Sequence, residues 1–197
     1  MNPENIHPAS REIVLLGLGE GAVGKTTLVY TAAFNRSVPN AGFTCGLNNI
    51  NFPITLDGVT YSILVQEFGG QEQFGPWLIK TTPAITNADA VLLFFDLSFI
   101  ETLFNLQDYI KQINCRKPGL KAVLVGTKAD LEWNVTPGEI TAFMKDNDIE
   151  QVAITSSLKN YNCLEPFKLA VAVVAGLDYQ AIPVELCHSN LAVQRIH

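Results

Sequence analysis

The sequence predicts an α/β fold in which a mostly parallel sheet of six strands, one of them antiparallel, carries helices on both faces. Apolar runs with strand character alternate along the chain with segments of helical spacing, which is typical of parallel sheets with crossover helices. One run, Ala90–Asp96, is too continuously apolar for a half-exposed strand, so we place it at the centre of the sheet. An Asp57-Gly58 turn signal between two other runs predicts the single antiparallel pair.

Length and composition favour one well-packed domain. The 197 residues suffice for one α/β domain, and a chain with 48% hydrophobic and 16% charged residues can form a packed core. The net charge of −6 argues against nonspecific nucleic-acid binding, which requires a basic surface. No apolar stretch is long enough for a membrane span. We therefore predict a flexible leader over residues 1–10, one domain over 11–180 and a C-terminal tail over 181–197.

The elements of the first half follow from local patterns. We predict strands at Ile13–Leu18, Ile50–Leu56 and Tyr61–Glu67, and a helix at Thr26–Phe34. The last two strands flank the Asp57-Gly58 turn and should pair with each other. Residues 36–46 contain proline, asparagine and glycine, which indicates an exposed loop.

The second half continues the alternation. Strands are predicted at Ala90–Asp96, Ala122–Val125 and Val152–Thr155, and helices at Glu101–Asn114, Thr136–Asn147 and Cys163–Leu177. Thr136 and Glu139 have the spacing of a capping box, with Pro137 at the first helical position. We expect Gly126 to end its strand and Pro183 to end the ordered packing. The four cysteines have no metal-site spacing, so we predict free thiols.

A glycine-rich turn joins the first strand to the first helix. It fits the pattern G-x-x-x-x-G-K-[ST] with Gly19, Glu20, Gly21, Ala22, Val23, Gly24, Lys25 and Thr26. A strand that enters a helix through such a turn directs backbone N–H groups and the helix dipole at one point, where a polyphosphate can bind. We predict that Lys25 reaches the β- and γ-phosphates, that Thr26 ligates Mg²⁺ and that Thr27 adds a phosphate contact. The fold is then that of a P-loop NTPase.

Four later segments, taken in order with this motif, resemble those of the Ras superfamily of small GTPases. They are Thr44-Cys45-Gly46 for the first switch, Glu67 to Glu72 for the second, Gly126 to Asp130 for the guanine motif and Thr155 to Leu158 for the Ser-Ala-Lys motif. The resemblance covers about residues 11–178. The Thr-Lys-x-Asp form is familiar from Rho proteins, but the chain lacks room for their extra helix and has the length of Ras or Rab proteins.

At the base, the resemblance implies that Asp130 accepts hydrogen bonds from guanine, and adenine lacks the matching pair of donors. A buried carboxylate left unpaired against ATP would make the site selective for guanine. Lys128 would lie along the base and ribose, and Thr127 would provide a shortened tether to the phosphate-binding turn. The guanine O6 would meet backbone N–H groups near Ser156, Ser157 and Leu158.

At the phosphates, the resemblance implies a switch. Thr44 would complete the Mg²⁺ shell and bind the γ-phosphate, and Gly70 would donate its N–H to the same phosphate, so losing that phosphate releases both loops. Gln71 would orient the attacking water. The implied catalytic residues are therefore Gln71, Lys25 and Thr44, and the implied metal ligands are Thr26, Thr44 and Glu67.

Two positions depart from the family. Glu67 stands where the family has aspartate, and we expect its extra methylene to weaken Mg²⁺ coupling and slow hydrolysis, because Mg²⁺ demands near-octahedral geometry. Ser37 falls where an aromatic side chain contacts guanine, and Phe34 or Phe43 could substitute. These departures leave open a second function, a nucleotide-binding interaction module with little or no GTPase activity.

The implied ligands are GTP or GDP with Mg²⁺, and the implied partners are effector, exchange-factor and activating proteins. A P-loop kinase or ATPase is disfavoured, since Thr127 to Asp130 points to guanine. We expect a cytoplasmic monomer, or one attached peripherally to a membrane through partners, with a role in signal transduction or vesicle traffic. The sequence ends without a prenylation motif, so we expect one of three cases: the protein works without prenylation, the chain was shortened, or it continues into something larger. Cys187 is the only cysteine of the tail, and we interpret it as a free thiol rather than an acylation site.

Overall fold

The computed structural model of the protein describes residues 12–36, 46–69 and 83–179, together with Pro183, Val184 and Cys187. Its strands are β1 (Ile13–Leu18), β2 (Leu47–Leu56), β3 (Val59–Phe68), β4 (Ala90–Asp96), β5 (Lys121–Thr127) and β6 (Gln151–Ile154). Its helices are α1 (Lys25–Phe34), α2 (Ala84–Asn87), α3 (Ile100–Phe104), α4 (Leu106–Arg116), α5 (Pro137–Asp146) and α6 (Glu165–Ala175).

These strands form one sheet in the order β2-β3-β1-β4-β5-β6. β2 and β3 pair antiparallel around the turn at Asp57, and the other neighbouring strands pair parallel. Every residue of β4 is buried, as expected for a central strand covered on both faces. The predicted α/β fold, a mostly parallel six-stranded sheet with one antiparallel strand, is confirmed.

A hydrophobic core lies on each face of the sheet. On one face, Leu28 of α1 and Phe167 of α6 pack against β1, β3 and β4. On the other face, Leu103, Ile110 and Ile140 bring α3, α4 and α5 against the sheet. Because the strands other than β2 run parallel, their carboxyl ends meet at a common edge of the sheet, where ligands of such sheets bind.

Helix boundaries show where local signals were sufficient. The capping box at the start of α5 is present, since the Thr136 hydroxyl accepts from the Glu139 N–H at 3.3 Å and the Glu139 carboxylate accepts from the Thr136 N–H at 2.7 Å. The single helix predicted over Glu101–Asn114 is wrong in one respect, because α3 and α4 are separate helices that meet at Asn105. The periodicity of the apolar residues continues through this junction and therefore hid it.

Two predicted endings are also wrong. β5 runs through Gly126 to Thr127, and a Cβ at Gly126 would lie 2.8 Å from Ile154 Cδ1, so this glycine permits close packing inside the sheet. Ordered packing extends past Pro183, because Val184 and Cys187 are buried in the core that α3, α4 and α5 form with the sheet. Among the described cysteines, Cys115, Cys163 and Cys187, none forms a disulfide, and Cys45 lies outside the described residues.

Within the described residues, no helix combines the length and the apolar character that crossing a membrane requires.

Candidate functional site

The phosphate loop, residues 19–26, takes its shape from glycine at two positions. Gly19 has φ +147°, and a Cβ there would lie 2.3 Å from the Phe94 carbonyl oxygen, so the loop passes directly over β4. Gly24 has φ +95° and stands immediately before α1. The φ values at both positions disfavour residues with a side chain, and at Gly19 the close contact with Phe94 excludes one. The path of the loop backbone is therefore set by these glycines.

Helix α1 opens toward this loop. Its first intrahelical bond runs from the Leu28 N–H to the Gly24 carbonyl oxygen at 3.0 Å, so the preceding amides point out of the helix end. The positive end of the helix dipole lies at the same place. Together these features make an anion site of the kind that the motif predicts.

Lys25 lies over the phosphate loop. Its Nζ donates to the Gly19 carbonyl oxygen at 2.9 Å and to the Glu20 carbonyl oxygen at 2.6 Å, and the side chain is buried. Burial lowers the pKa of Lys25 to about 8, against the opposing effect of the Glu67 and Glu20 carboxylates. A phosphate would supply this ammonium with the strong charge partner that two carbonyl groups do not.

The Thr26 hydroxyl and the Glu67 carboxylate meet at one side of the loop. Thr26 Oγ1 donates to Glu67 Oε1 at 2.5 Å, and Glu67 is completely buried at the end of β3. Hydroxyl and carboxylate oxygens are ligands that Mg²⁺ prefers, alongside phosphate oxygens. The donor set of these two residues therefore fits the magnesium ion that the resemblance implies.

Thr127 ties the two ends of the site together. Its Oγ1 lies 2.5 Å from the Val23 carbonyl oxygen of the phosphate loop and 2.9 Å from the Phe95 carbonyl oxygen of β4. The residue is buried, so removing the hydroxyl would leave carbonyl oxygens without this donor. The shortened tether expected at this position is a direct contact from side chain to loop backbone.

Lys128 and Asp96 form an ion pair beside this tether. Lys128 Nζ lies 2.7 Å from Asp96 Oδ2, and the other Asp96 oxygen accepts from the Ser98 N–H at 2.9 Å. Lys128 has φ +57°, so its backbone turns sharply directly after β5. The carboxylate at the end of β4 therefore holds the lysine above the site.

Asp130 is held by the loop that follows β6. The Ser156 hydroxyl donates to Asp130 Oδ1, and the buried Ser156 exchanges two backbone hydrogen bonds with Tyr161, of 3.0 and 2.8 Å. The Ala129 N–H donates to the Thr155 carbonyl oxygen at 3.0 Å, which joins the same two loops through their backbones. Asp130 is half-buried and has a fixed orientation, as a base-recognising carboxylate requires.

A further contact reaches the phosphate loop from the helical side. Asn105, at the junction of α3 and α4, donates from Nδ2 to Glu20 Oε1 at 2.6 Å. The interruption of the predicted helix therefore coincides with a contact between that helix pair and the loop. Asn105 is exposed and Glu20 is half-buried, so this bond lies at the rim of the site.

Several predicted site residues lie outside the described residues: Ser37, Phe43, Thr44, Gly70 and Gln71. Their roles stay predictions. Of the others, the Leu158 side chain is 67% exposed and Ser157 is half-buried beside Asp130's loop. Phe34 ends α1, is 56% exposed and stacks on Tyr30 with ring centroids 5.7 Å apart, so its contact with a base also stays a prediction.

Three residues of the site were missed by sequence reasoning: Asp96, Asn105 and Tyr161. Asp96 accepts from the Ser98 N–H in the turn after β4 and also pairs with Lys128. Its position as the one carboxylate at the end of the central strand was a usable signal. Asn105 contacts Glu20, which is distant in the chain, and Tyr161 supports Ser156 through backbone hydrogen bonds. No local pattern of side chains reveals either contact.

Comparisons with known proteins agree with this geometry. A model of the Ras family matches residues 12–175 of the chain. Ras-related protein Rab-9B of Mus musculus is 29% identical over 178 residues, which cover 87% of each chain. Ras-related protein Rab-27B of Homo sapiens is 32% identical over 133 residues, 60% of this chain and 59% of that protein. A probable Rab-related GTPase of Acanthamoeba polyphaga mimivirus is 29% identical over 145 residues, 71% of this chain and 66% of that protein. This chain therefore spans less than two thirds of the length of the human and the viral relative.

Proposed function

Because the family model covers most of its length, the chain belongs to the Ras family as a divergent small GTPase, and we propose that it is a guanine-nucleotide-dependent switch. Membership of this family supports GTP binding and hydrolysis. Our proposal adds that hydrolysis is slow and that the GTP form recruits effector proteins. The observation that carries it is the Thr127 tether, which links a phosphate-binding loop to the strand end that leads to Asp130.

Phosphate binding uses the backbone and one cation. The N–H groups at the start of α1 would bind the β-phosphate, and Lys25 would transfer from two carbonyl oxygens to the phosphate oxygens. This exchange replaces neutral acceptors by charged ones, which strengthens each hydrogen bond. Thr27 would contribute a further contact from the first turn of α1.

Base selection rests on a fixed carboxylate. The Asp130 oxygens would accept from the N1–H and the exocyclic amine of guanine, while Ser156 keeps the carboxylate from rotating. Adenine offers no such pair of donors, so ATP would leave the carboxylate without its partners. Lys128, held by Asp96, would cover the base and ribose.

Thr26 and Glu67 would hold Mg²⁺ together with Thr44 and phosphate oxygens. When bound, the ion supplies positive charge that neutralises the phosphate oxygens during phosphoryl transfer. The Thr26 hydroxyl donates a hydrogen bond to Glu67, which leaves the lone pairs of the Thr26 hydroxyl oxygen available to a cation. Gln71 would orient the attacking water, and Thr44 and Gly70 would respond to the γ-phosphate. Without an arginine supplied by a partner, such a site hydrolyses GTP slowly.

Nucleotide binding and turnover test this proposal directly. We expect calorimetry to show tight binding of GDP and GTP in the presence of Mg²⁺ and at least hundredfold weaker binding of ADP and ATP. A GTPase assay should then show slow turnover that a partner protein accelerates. Equal affinity for adenine and guanine nucleotides would contradict the proposal.

A second function is favoured by one observation, the glutamate at position 67. If it prevents productive Mg²⁺ binding, the nucleotide is a structural ligand and the chain is an interaction module. Limited proteolysis in GDP and in a nonhydrolysable GTP analogue separates the two functions. Different cleavage patterns support the switch, and identical patterns with no GTP turnover support the module.

A further inference from the structure

Glu67 has a longer side chain than the aspartate of the family resemblance, and the structure provides room for it. Its neighbour across the parallel pair of β1 and β3 is Gly17. A Cβ at Gly17 would lie 3.3 Å from Glu67 Cβ and 3.4 Å from Phe94 Cε2, which is tighter than ordinary packing. A glycine inside a strand often marks such a close approach. A larger residue at position 17 would crowd the base of the Glu67 side chain, and glycine avoids this crowding.

On its other side, Glu67 is held by an amide. Asn48 is its register partner across the antiparallel pair of β2 and β3, and Asn48 Nδ2 donates to Glu67 Oε1 at 3.2 Å. The same oxygen accepts from Thr26 Oγ1 at 2.5 Å. Asn48, Glu67 and Gly17 form one row across three neighbouring strands, and Glu67, the middle residue of the row, accepts from the Thr26 hydroxyl.

We propose that Asn48 is a positioning residue for Mg²⁺, and that Asn48 and Gly17 together adapt the metal site to a glutamate. This inference rests on the proposed function. Asn48 fixes the rotation of the carboxylate, the carboxylate accepts a hydrogen bond from the Thr26 hydroxyl, and the lone pairs of the hydroxyl oxygen are then free to face the cation. The Asn48 amide touches neither nucleotide nor metal in this arrangement.

The proposal reverses the effect on Mg²⁺ coupling that is expected from the extra methylene of Glu67 alone. If the site is built for glutamate, Glu67→Asp shortens the side chain, separates it from Asn48 and Thr26 and weakens Mg²⁺ coupling. If the site is an ordinary one disturbed by an extra methylene, the same substitution strengthens that coupling. The two cases predict opposite signs.

The test is the release rate of a fluorescent GDP analogue, measured with saturating Mg²⁺ and again with EDTA. Asn48→Ala should speed release in Mg²⁺ on the order of tenfold, the loss typical of a residue that orients a metal ligand, and leave release in EDTA unchanged. Raising the Mg²⁺ concentration above the level that saturates the wild type should slow release from this variant again. Glu67→Asp should also speed release in Mg²⁺.

Asn51→Ala is the matched control. Asn51 lies on the same strand and also donates from Nδ2 to a glutamate Oε1, that of Glu12, at 3.2 Å, but at an exposed position away from the site. It should release the analogue at the wild-type rate in both conditions. Thermal unfolding of the nucleotide-free proteins shows whether the two alanine variants are equally folded.

The inference is overturned if Asn48→Ala releases the analogue at the wild-type rate in Mg²⁺, if it speeds release equally in EDTA, or if Glu67→Asp slows release. In each of these cases the wild type still binds GDP, so the proposed function survives. A wild type that binds no GDP overturns the proposed function and this inference together.

Discussion

The phosphate end and the base end of the site are built in different ways. The phosphate loop is one run of eight residues whose path is set by Gly19, by Gly24 and by the start of α1. The base end consists of two loops, residues 127–130 and 155–161, that are joined by the bonds from Ser156 to Asp130 and from Ala129 to Thr155. Local backbone rules set the first, and tertiary contacts set the second.

This difference teaches where each end is vulnerable. Substitutions at the phosphate end act directly on the ligand contact, because the loop backbone needs little support from elsewhere. At the base end, residues that never meet the base should matter, because they hold the residue that does. The following predictions test this contrast, from the substitution with the largest expected effect to the one with the smallest.

Lys25→Met should remove the cation from the phosphate end of the site. We expect GDP and GTP affinity to fall at least about a hundredfold, since hydrogen bonds from a cation to phosphate are lost. The nucleotide-free variant should nevertheless be more stable than the wild type, because a buried charge has been removed. Calorimetry measures the first effect and thermal unfolding the second. An unchanged GDP affinity would contradict the role of this lysine.

The stability difference should depend on pH with a definite sign. The folded pKa of Lys25 is about 8 and the unfolded value is 10.5, so the unfolded wild type binds the extra proton between these values. Wild-type stability therefore rises over this window, and the advantage of Lys25→Met, about 3 kcal/mol at most, shrinks. The raised pKa values of Tyr161, Tyr179 and Cys163 affect both proteins and cancel in the difference.

Asp130→Ala should remove selectivity rather than phosphate binding. We expect GDP affinity to fall about a hundredfold and the preference for GDP over ADP to disappear, because the paired acceptors for guanine are gone. Competition assays with both nucleotides measure the ratio. Asp146→Ala, at an exposed position in α5, is the control and should keep the wild-type preference. A variant that still prefers GDP would show that another group reads the base.

Ser156→Ala separates the two ends most sharply. Losing the hydroxyl that orients Asp130 should weaken GDP binding about tenfold. Binding of inorganic pyrophosphate, which uses only the phosphate end, should stay at the wild-type level. Ser62→Ala on the exposed surface of β3 is the control for serine removal. If pyrophosphate binding falls as much as GDP binding, the two ends are not independent.

Asn105→Ala should have the smallest effect. The bond to Glu20 lies at the rim, and we expect at most about a twofold change in GDP affinity and less than about 1 kcal/mol in stability. Asn114→Ala, on the exposed face of α4, is the control for removing an asparagine side chain. A tenfold loss of affinity would mean that the phosphate loop depends on tertiary support after all.

The same contrast explains how far the sequence could be interpreted. The fold class, the hairpin, the central strand and the phosphate loop follow from periodicity, one turn signal and one motif, and each is a local property. The bonds from Ser156 to Asp130 and from Ala129 to Thr155 join residues that are distant in the chain. Such contacts exist only after the sheet has brought the strand ends together, so no local pattern predicts them.

The packing of Cys187 has a practical consequence. Cys187 is 1% exposed in the core on one face of the sheet, Cys163 is buried in the core on the opposite face, and Cys115 is exposed. A maleimide should label Cys115 at once but reach Cys187 only when its side chain leaves the core. The rate of that slow labelling would time this local opening, and lipid transfer to Cys187 would have to wait for the same event.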